Sequence, residues 1–584
     1  MTTRPLQAIV LLAVFLPVPA WALINPSFTP ADLAAGSPVI VEMRLGADGE
    51  VRDVKPLKGD PPKNLRFTLD ESVRDSFPDG HHPAVLFLAN LAAAGETSEA
   101  TPPVGAVHVG DAWFGVYASD GGYTLAADTR DLKTVWAGAT GMLARAIRSA
   151  LVDPARVTFP TKVGVRWRGE TAVAKTGQSV SGLEVVELSA TAPPWLHVLS
   201  TAGDYLWSPT ARRALPAKSE RACWTDLNSD GQLDLVSWDG KTAGAWLQQA
   251  DGNFAGLDGR VELSGVTGLV ALRGAVAAGG KEGVVVLALE EKTLAIRQTL
   301  SLPEAVGGAG PIVAGDFDND GTTDLVQACD QGVVAWPGLG AGRVVWRGRV
   351  GKAVVALDAG DFDGDGLLDL LVGGRLGEGD DGGVNLFANA GQWTFAPAWY
   401  QAGEVYKVQP RVRAVQSCDI NGDGKFDLMV AYERSGPMFL FNRGFRTFGA
   451  CDELTLGSAE QVPEAGAAFN TGAPFGVVAD FDGDGAQDGA YATADGNVWV
   501  LWRERGPACQ GLLLAAPPGA GPMQVTVTEG QTLLGSLLAV PGRPAYCGFA
   551  AKGGVKLTWT GSDGKPRTRT VPVIKALTRV ELAD

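Results

Sequence analysis

An all-β architecture is what this sequence predicts, and three observations carry it. The first is a short acidic phrase, D-x-[DN]-x-D-G-x-x-D, which occurs five times and leads each time into an extended stretch. The second is the spacing of those phrases. Their first aspartates stand at 226, 316, 361, 419 and 480, at intervals of 90, 45, 58 and 61. The third is a content of 77 Gly and 35 Pro in 584 residues, which points to many tight turns and little long helix. Four strands in each 45–60 residues is the pattern of a propeller blade. The chain is therefore expected to form a β-propeller of about seven blades with calcium-binding loops. A small N-terminal β module with one helix and a C-terminal β module are expected to flank it.

The acidic phrases are candidate metal sites. The first comprises Asp226, Asn228, Asp230, Gln232 and Asp234, and the second Asp316, Asp318, Asp320, Thr322 and Asp324. The third comprises Asp361, Asp363, Asp365, Leu367 and Asp369, and the fourth Asp419, Asn421, Asp423, Lys425 and Asp427. The fifth comprises Asp480, Asp482, Asp484, Ala486 and Asp488, with Gly489-Ala490 where the others have an apolar pair. Side-chain oxygens at positions 1, 3, 5 and 9, with the backbone carbonyl at position 7, suit a hard cation such as Ca²⁺. Glycine at position 6 permits the sharp turn that wraps the loop around it. Position 12 is Ser237, Gln327, Val372, Val430 or Tyr491, never the Glu of an EF-hand, and the flanks read as strands. Metal-free turns are the alternative, since Asp, Asn and Gly favour turns anyway. Repetition in register favours about five bound calcium ions.

The net charge is −16, and the loops hold eighteen carboxylates, three each in the first and fourth and four in each of the others. The acidity is thus local to the loops, and no basic stripe interleaved with aromatics suggests a nucleic-acid partner. Residues 1–22 read as an export signal. Arg4 forms the positive start, Ala8 to Leu16 the apolar core and Ala20-Trp21-Ala22 the cleavage site. No later stretch is apolar for the ~18 residues a membrane span needs. The expected destination is periplasmic, cell-surface or secreted. Cys223, Cys329, Cys418, Cys451, Cys509 and Cys547 show no metal or haem spacing. A mixture of one or two disulfides and buried thiols is expected.

Residues 23–160 are expected to form a small antiparallel barrel or sandwich. Its strands are sought at Val39–Met43, Val51–Val54, Leu65–Leu69, Ala84–Leu88 and in a hairpin about Gly110-Asp111. One helix follows, capped by Thr140, with Met142, Leu143, Ile147 and Leu151 on its apolar face and Asp153-Pro154 as its stop. The propeller is assigned to residues 161–508. Because 90 is twice 45, a degenerate unit is expected near residue 271. Gly268–Ala271 and Gly283–Leu289 would be its strands, with Ala275–Gly280 replacing the acidic loop. A further weak unit fits Leu183 to Trp207. Residues 509–584 form the C-terminal module, with strands at Met523–Thr528, Leu533–Val540 and Val555–Trp559.

The phrases D-F-D-N-D-G-T-T-D-L, D-F-D-G-D-G-L-L-D-L and D-I-N-G-D-G-K-F-D-L resemble the FG-GAP/VCBS repeat, as does Gly383 to Asn389 followed by Trp393-Thr394-Phe395. The resemblance covers roughly residues 165 to 505. It implies a calcium-binding β-propeller of the kind found in integrin α-subunits and many bacterial exported proteins. The two degenerate units depart from the pattern, and no ion is expected there. The tail resembles the ASPIC/UnbV module in arrangement; a plain β-sandwich cap is the alternative.

Catalytic constellations are sparse. Only His81, His82, His108 and His197 are available, and no G-x-S-x-G elbow accompanies them. His81-His82 reads as an exposed turn. Glu378, Asp380 and Asp381 are an acidic cluster outside the loops, expected at a solvated hairpin tip. The tryptophans Trp238, Trp246, Trp336, Trp393 and Trp499 suit packing between blades. The expected function is an exported, calcium-stabilised scaffold that binds a protein or glycan, as a monomer or within an extracytoplasmic complex. A polysaccharide lyase or hydrolase built on the same propeller is the alternative.

Overall fold

The computed structural model describes residues 30–63, 65–88, 103–110, 112–119, 121–127, 140–152, 165, 167–174, 179–303, 306–375, 382–402, 411–433, 436–442, 472–505, 511–548, 554–572 and 577–583. The export signal, Cys451, Cys509 and the Glu378–Asp380–Asp381 cluster lie outside them. The chain divides into two compact units, Met1–Thr158 and Phe159–Asp584.

The first unit holds one seven-stranded sheet. In spatial order its strands are Val51–Lys58, Val39–Gly46, His81–Leu88, Gly105–Val109, Ala112–Ser119, Gly122–Ala127 and Phe67–Leu69. All neighbours are antiparallel except the last pair. The expected barrel or sandwich is thus a single sheet, whose ends approach where the Phe67 N–H reaches the Gly49 carbonyl at 3.4 Å. Three helices are described where one was expected: α1 (Pro30–Gly36), α2 (Glu71–Arg74) and α3 (Thr140–Val152). The two short ones lack a full apolar period, so hydrophobic pattern does not mark them. Helix α3 buries Leu143, Ala146, Ile147 and Ala150. Leu151, expected on that face, is 38% exposed although it follows Ile147 by one turn, because it stands at the last turn, next to the helix end at Val152. His81 and His82 open a strand and are half-buried, correcting the expected exposed turn.

The second unit contains seven small antiparallel sheets in chain order. The first is Val180–Val186, Trp195–Ser200, Tyr205–Ser208 and Ala211–Ala214, and the second is led by Arg221–Thr225. Gly268–Leu272, Ala309–Gly315, Ala353–Gly360, Val412–Cys418 and Phe475–Ala479 lead the third to seventh. Each leading strand touches the leading strand of the next sheet, and that of the seventh touches that of the first. One apolar cluster fills each of the seven gaps, for instance Val326, Ala335, Leu370 and Phe387 between the fourth and fifth sheets. Trp336 is fully buried in one of these gaps, and Trp238, Trp246 and Trp499 are nearly so. The fourth strand of the seventh sheet is Trp167–Ala174, which arrives from the start of the unit and pairs with Val498–Arg503.

The degenerate third sheet differs from expectation. Ala275–Gly280 is not a loop substitute; it is the second strand itself, paired with Gly268–Leu272 through a two-residue Arg273-Gly274 turn. Gly274 has φ +55°, a left-handed conformation that glycine adopts without steric cost.

The C-terminal part packs a three-stranded sheet on a four-stranded one. Leu512, Leu514, Val525, Val527, Leu557 and Trp559 fill the space between them. Cys223, Cys329, Cys418 and Cys547 are buried free thiols.

Candidate metal centres

Each acidic phrase connects the first and second strands of its sheet, and all five adopt one hydrogen-bonded geometry. The position-1 carboxylate anchors the turn. Its Oδ2 accepts from the position-6 glycine N–H at 2.8–2.9 Å in Asp226, Asp316, Asp361, Asp419 and Asp480. Its Oδ1 accepts from the position-5 N–H at 2.9–3.2 Å. Position 5 in turn accepts from the position-7 N–H of Gln232, Thr322, Leu367, Lys425 and Ala486. The position-6 glycines have φ between +83° and +91°.

The position-9 aspartate does a different job from the rest. Its Oδ2 accepts from the position-2 N–H in Asp234, Asp324, Asp369, Asp427 and Asp488. Its Oδ1 accepts from a backbone N–H at the end of the third strand, at Gln248, Gly338, Asn389, Asn442 and Arg503. Asp234, Asp324, Asp369, Asp427 and Asp488 thus staple the loop to the third strand, and all five are fully buried. Repetition in the sequence marked these residues as ligands but did not distinguish this staple.

Ligand atoms of Asp316, Asp318 and Asp320 lie within 4.8 Å of one another, as do those of Asp361, Asp363 and Asp365. In the fifth loop the gathered set is Asp480, Asp482 and Asp488. The first and fourth loops have Asn228 and Asn421 at position 3, so three carboxylates are not gathered there. The electrostatics suit a cation. Burial, reinforced by repulsion from the neighbouring aspartates and only partly opposed by backbone hydrogen bonds, pushes Asp234, Asp316 and Asp480 up to about 6 and Asp324 to about 7. Asp361 and Asp419 rise to about 7 and Asp488 to about 8, again chiefly through burial. Two of the chain's own cations reach the loops, Lys425 pairing with Asp423 at 3.1 Å and Arg168 with Asp482. Oxygen-only donors on a tight loop with excess negative charge fit Ca²⁺.

Two further groupings escaped the sequence. Asp48, Glu50 and His81 come together at the first hairpin of the N-terminal unit. His197 is fully buried, accepts the Trp224 indole N–H at Nδ1 (3.2 Å) and faces Asp204, which Ser219 also contacts. That polar knot joins the first and second sheets. The Trp393 indole donates to Asp318 of the second loop at 2.7 Å. No local signal marks a partner from the next sheet.

Residues 316–372 and 361–430 match the family model of the FG-GAP-like repeat. The chain carries FG-GAP-like repeats. The matched stretches span the second, third and fourth loops, and together with the run of small antiparallel sheets they make this an FG-GAP-repeat β-propeller fold. No curated protein matches the chain. Among solved structures it is similar to BBS1N in complex with ARL6DN, at 12% identity and a TM-score of 0.40, covering 59% of this chain and 98% of that one. It is similar to a streptogramin B lyase at 12% identity and a TM-score of 0.37, covering 58% and 99%. It is also similar to PorZ, a surface component of the type-IX secretion system of Porphyromonas gingivalis, at 12% identity and a TM-score of 0.33, covering 93% and 74%.

Proposed function

We propose that this chain is an exported seven-bladed propeller, closed by Trp167–Ala174, that holds one Ca²⁺ in each acidic loop and presents a binding surface to a protein or glycan. One observation carries the calcium reading: five loops repeat the same backbone cradle around carboxylates whose burial raises their pKa. In each loop positions 1, 3 and 5 and the position-7 carbonyl would hold the ion, with the position-9 aspartate behind them. The ion supplies structural charge balance and no reaction step.

The binding surface is assigned to the face away from the loops, since the C-terminal sheets occupy the loop face. Turns joining second and third strands, such as Asp239–Thr242, Asp330-Gln331 and Ala494–Gly496, lie there. Metal analysis after dialysis against micromolar calcium tests the first half of the proposal, with about five ions per chain expected and none sinking it. Glycan and protein arrays probed with the calcium-loaded chain test the second half. Turnover of a polysaccharide in place of retention would replace the scaffold reading with an enzymatic one.

A further inference from the structure

The C-terminal sheets reach the acidic loops in a selective way. Ser536 N–H donates to Asp361 Oδ2 at 2.8 Å, and Gly548 N–H donates to Asp419 Oδ2 at 2.6 Å. Both acceptors are position-1 carboxylates whose Oδ2 already receives the loop's own glycine N–H. Asp361 is 5% exposed and Asp419 fully buried. The other three position-1 aspartates get no such donor to the carboxylate among the described residues. In the first loop the contact is reversed, with Asp226 N–H donating to the Pro518 carbonyl. In the fifth, the Tyr546 hydroxyl donates to the Gly485 carbonyl at 3.2 Å. In the second, Gln524 Nε2 bonds the Asn319 side chain and the Gly366 carbonyl of the neighbouring loop.

The approach is close enough to require glycine. A Cβ on Gly548 would stand 2.2 Å from the Gly422 carbonyl oxygen. A Cβ on Gly535, which has φ +146°, would stand 3.3 Å from Asp361 Oδ2. The first is a backbone-to-backbone contact with no side chain to move, and the second sets the Gly535 backbone directly against the carboxylate that Ser536 holds.

We infer that the C-terminal module is the outer coordination shell of the third and fourth cation loops, with the Ser536 and Gly548 backbone amides as positioning groups for Asp361 and Asp419. The inference rests on the calcium reading of the loops. Two N–H donors on Oδ2 fix the carboxylate's rotation and leave Oδ1 directed into the loop. They also stabilise the ionised carboxylate, the form that binds a cation. Removing an outer-shell donor of this kind typically lowers metal affinity by about 10–100-fold. Linkage makes the effect mutual: if module docking tightens cation binding at these loops, cation binding tightens docking by the same factor. The first, second and fifth loops lack the contact and should bind independently of it.

The test uses the full chain and its Gly548→Ala and Gly535→Ala variants, titrated with Ca²⁺ against a chromophoric chelator. Hydrogen exchange is followed over residues 361–369, 419–427, 532–539 and 545–548. In Gly548→Ala one site should weaken about 10–100-fold, with calcium-dependent protection lost at 419–427 and kept at 361–369. Gly535→Ala should show the converse. In the unsubstituted chain, chelation should strip protection from 532–539 and 545–548. Unchanged affinity at all sites in both folded variants overturns the inference while leaving calcium binding intact. Should a variant not fold, chelation that leaves 532–539 and 545–548 equally protected in the unsubstituted chain overturns it. Absence of any calcium binding by the unsubstituted chain overturns the calcium reading itself.

Discussion

The second and third sheets of the propeller join the same two strands in opposite ways. In the second, the nine-residue loop from Asp226 to Asp234 connects them, with three carboxylates and an asparagine. In the third, Arg273-Gly274 makes the connection in two residues, and the strand pair continues in register from Leu272–Ala275 to Gly268–Gly279. The second sheet has five strands and the third four, and both bury their apolar faces in the same cluster. A blade therefore needs no acidic loop to fold. What the loop adds is the staple from Asp234 to the N–H of Gln248, a candidate cation cradle, and a rim for the C-terminal sheets, which meet Asp226 through Pro518.

The largest expected effect comes from removing the cation, because it touches the five looped sheets and spares the third. With free Ca²⁺ at about ten times Kd each site contributes about 1.4 kcal/mol, so five approach ~7 kcal/mol. That is comparable to the ~5–15 kcal/mol stability of a typical domain. Chelation should lower the melting temperature steeply, and an unchanged melting curve in EDTA would refute structural calcium.

The chelated chain should also show an inverted pH dependence. Asp234, Asp316, Asp324, Asp361, Asp419, Asp480 and Asp488 are raised in the fold to between about 6 and 8, above an unfolded value near 3.8. Between those limits the folded state binds more protons than the unfolded one, so stability falls as pH rises. Without calcium, melting should be highest near pH 4–5 and drop toward pH 8. With calcium the trend should reverse, since the ion binds the deprotonated carboxylates. A cation-free curve that rises with pH would show that the buried carboxylates are compensated by groups other than the ion.

The same comparison explains what the sequence reveals. Five repeats of one phrase are legible because the hydrogen-bonded turn fixes residue type at fixed offsets, with a carboxylate at positions 1, 5 and 9 and glycine at position 6. The third sheet's second strand was misplaced because Ala275–Gly280 has small residues and no alternation, so it reads as a loop although it is buried on both faces. The Trp167–Ala174 strand was invisible as part of the seventh sheet, since its partner lies more than three hundred residues downstream. The staple at position 9 and the module contacts at Asp361 and Asp419 depend on which backbone N–H comes near. Residue type alone does not encode that.

The next effect separates staple from cradle within one loop. Asp324 is fully buried and accepts from Phe317 N–H (2.9 Å) and Gly338 N–H (2.8 Å), whereas Asp320 is exposed and accepts within its own turn. Asp324→Ala leaves two buried donors unpaired, at about 1–3 kcal/mol each. It should destabilise the chain by about 2–5 kcal/mol in calcium and in chelator alike. Asp320→Ala should cost about 1.4 kcal/mol in calcium and close to nothing in chelator, where it relieves repulsion. Denaturant unfolding in both buffers measures the pair. Equal losses for the two variants in chelator would mean that position 9 carries no separate role.

The smallest effect lies at position 4, where the loops differ among themselves. Gly364, Gly422 and Gly483 occupy it in the third, fourth and fifth loops, at φ between +72° and +75°. Ser229 and Asn319 occupy it in the first and second, at φ +61° and +58°. The left-handed conformation costs a non-glycine residue about 1–2 kcal/mol. Asn tolerates it better than Ser because its short amide bonds locally, and the Asn319 side chain also holds the Gly366 carbonyl. Ser229→Gly should therefore raise stability by up to ~1 kcal/mol, part of the gain being offset by glycine's greater unfolded-state entropy. Asn319→Gly should lower it or leave it unchanged, because it forfeits the bonds to Gly366 and Gln524. Calcium affinity at the first loop should rise slightly in Ser229→Gly if the strain opposes closure around the ion. A stabilised fold with unaltered affinity would place the strain in the turn alone, outside the cation cradle.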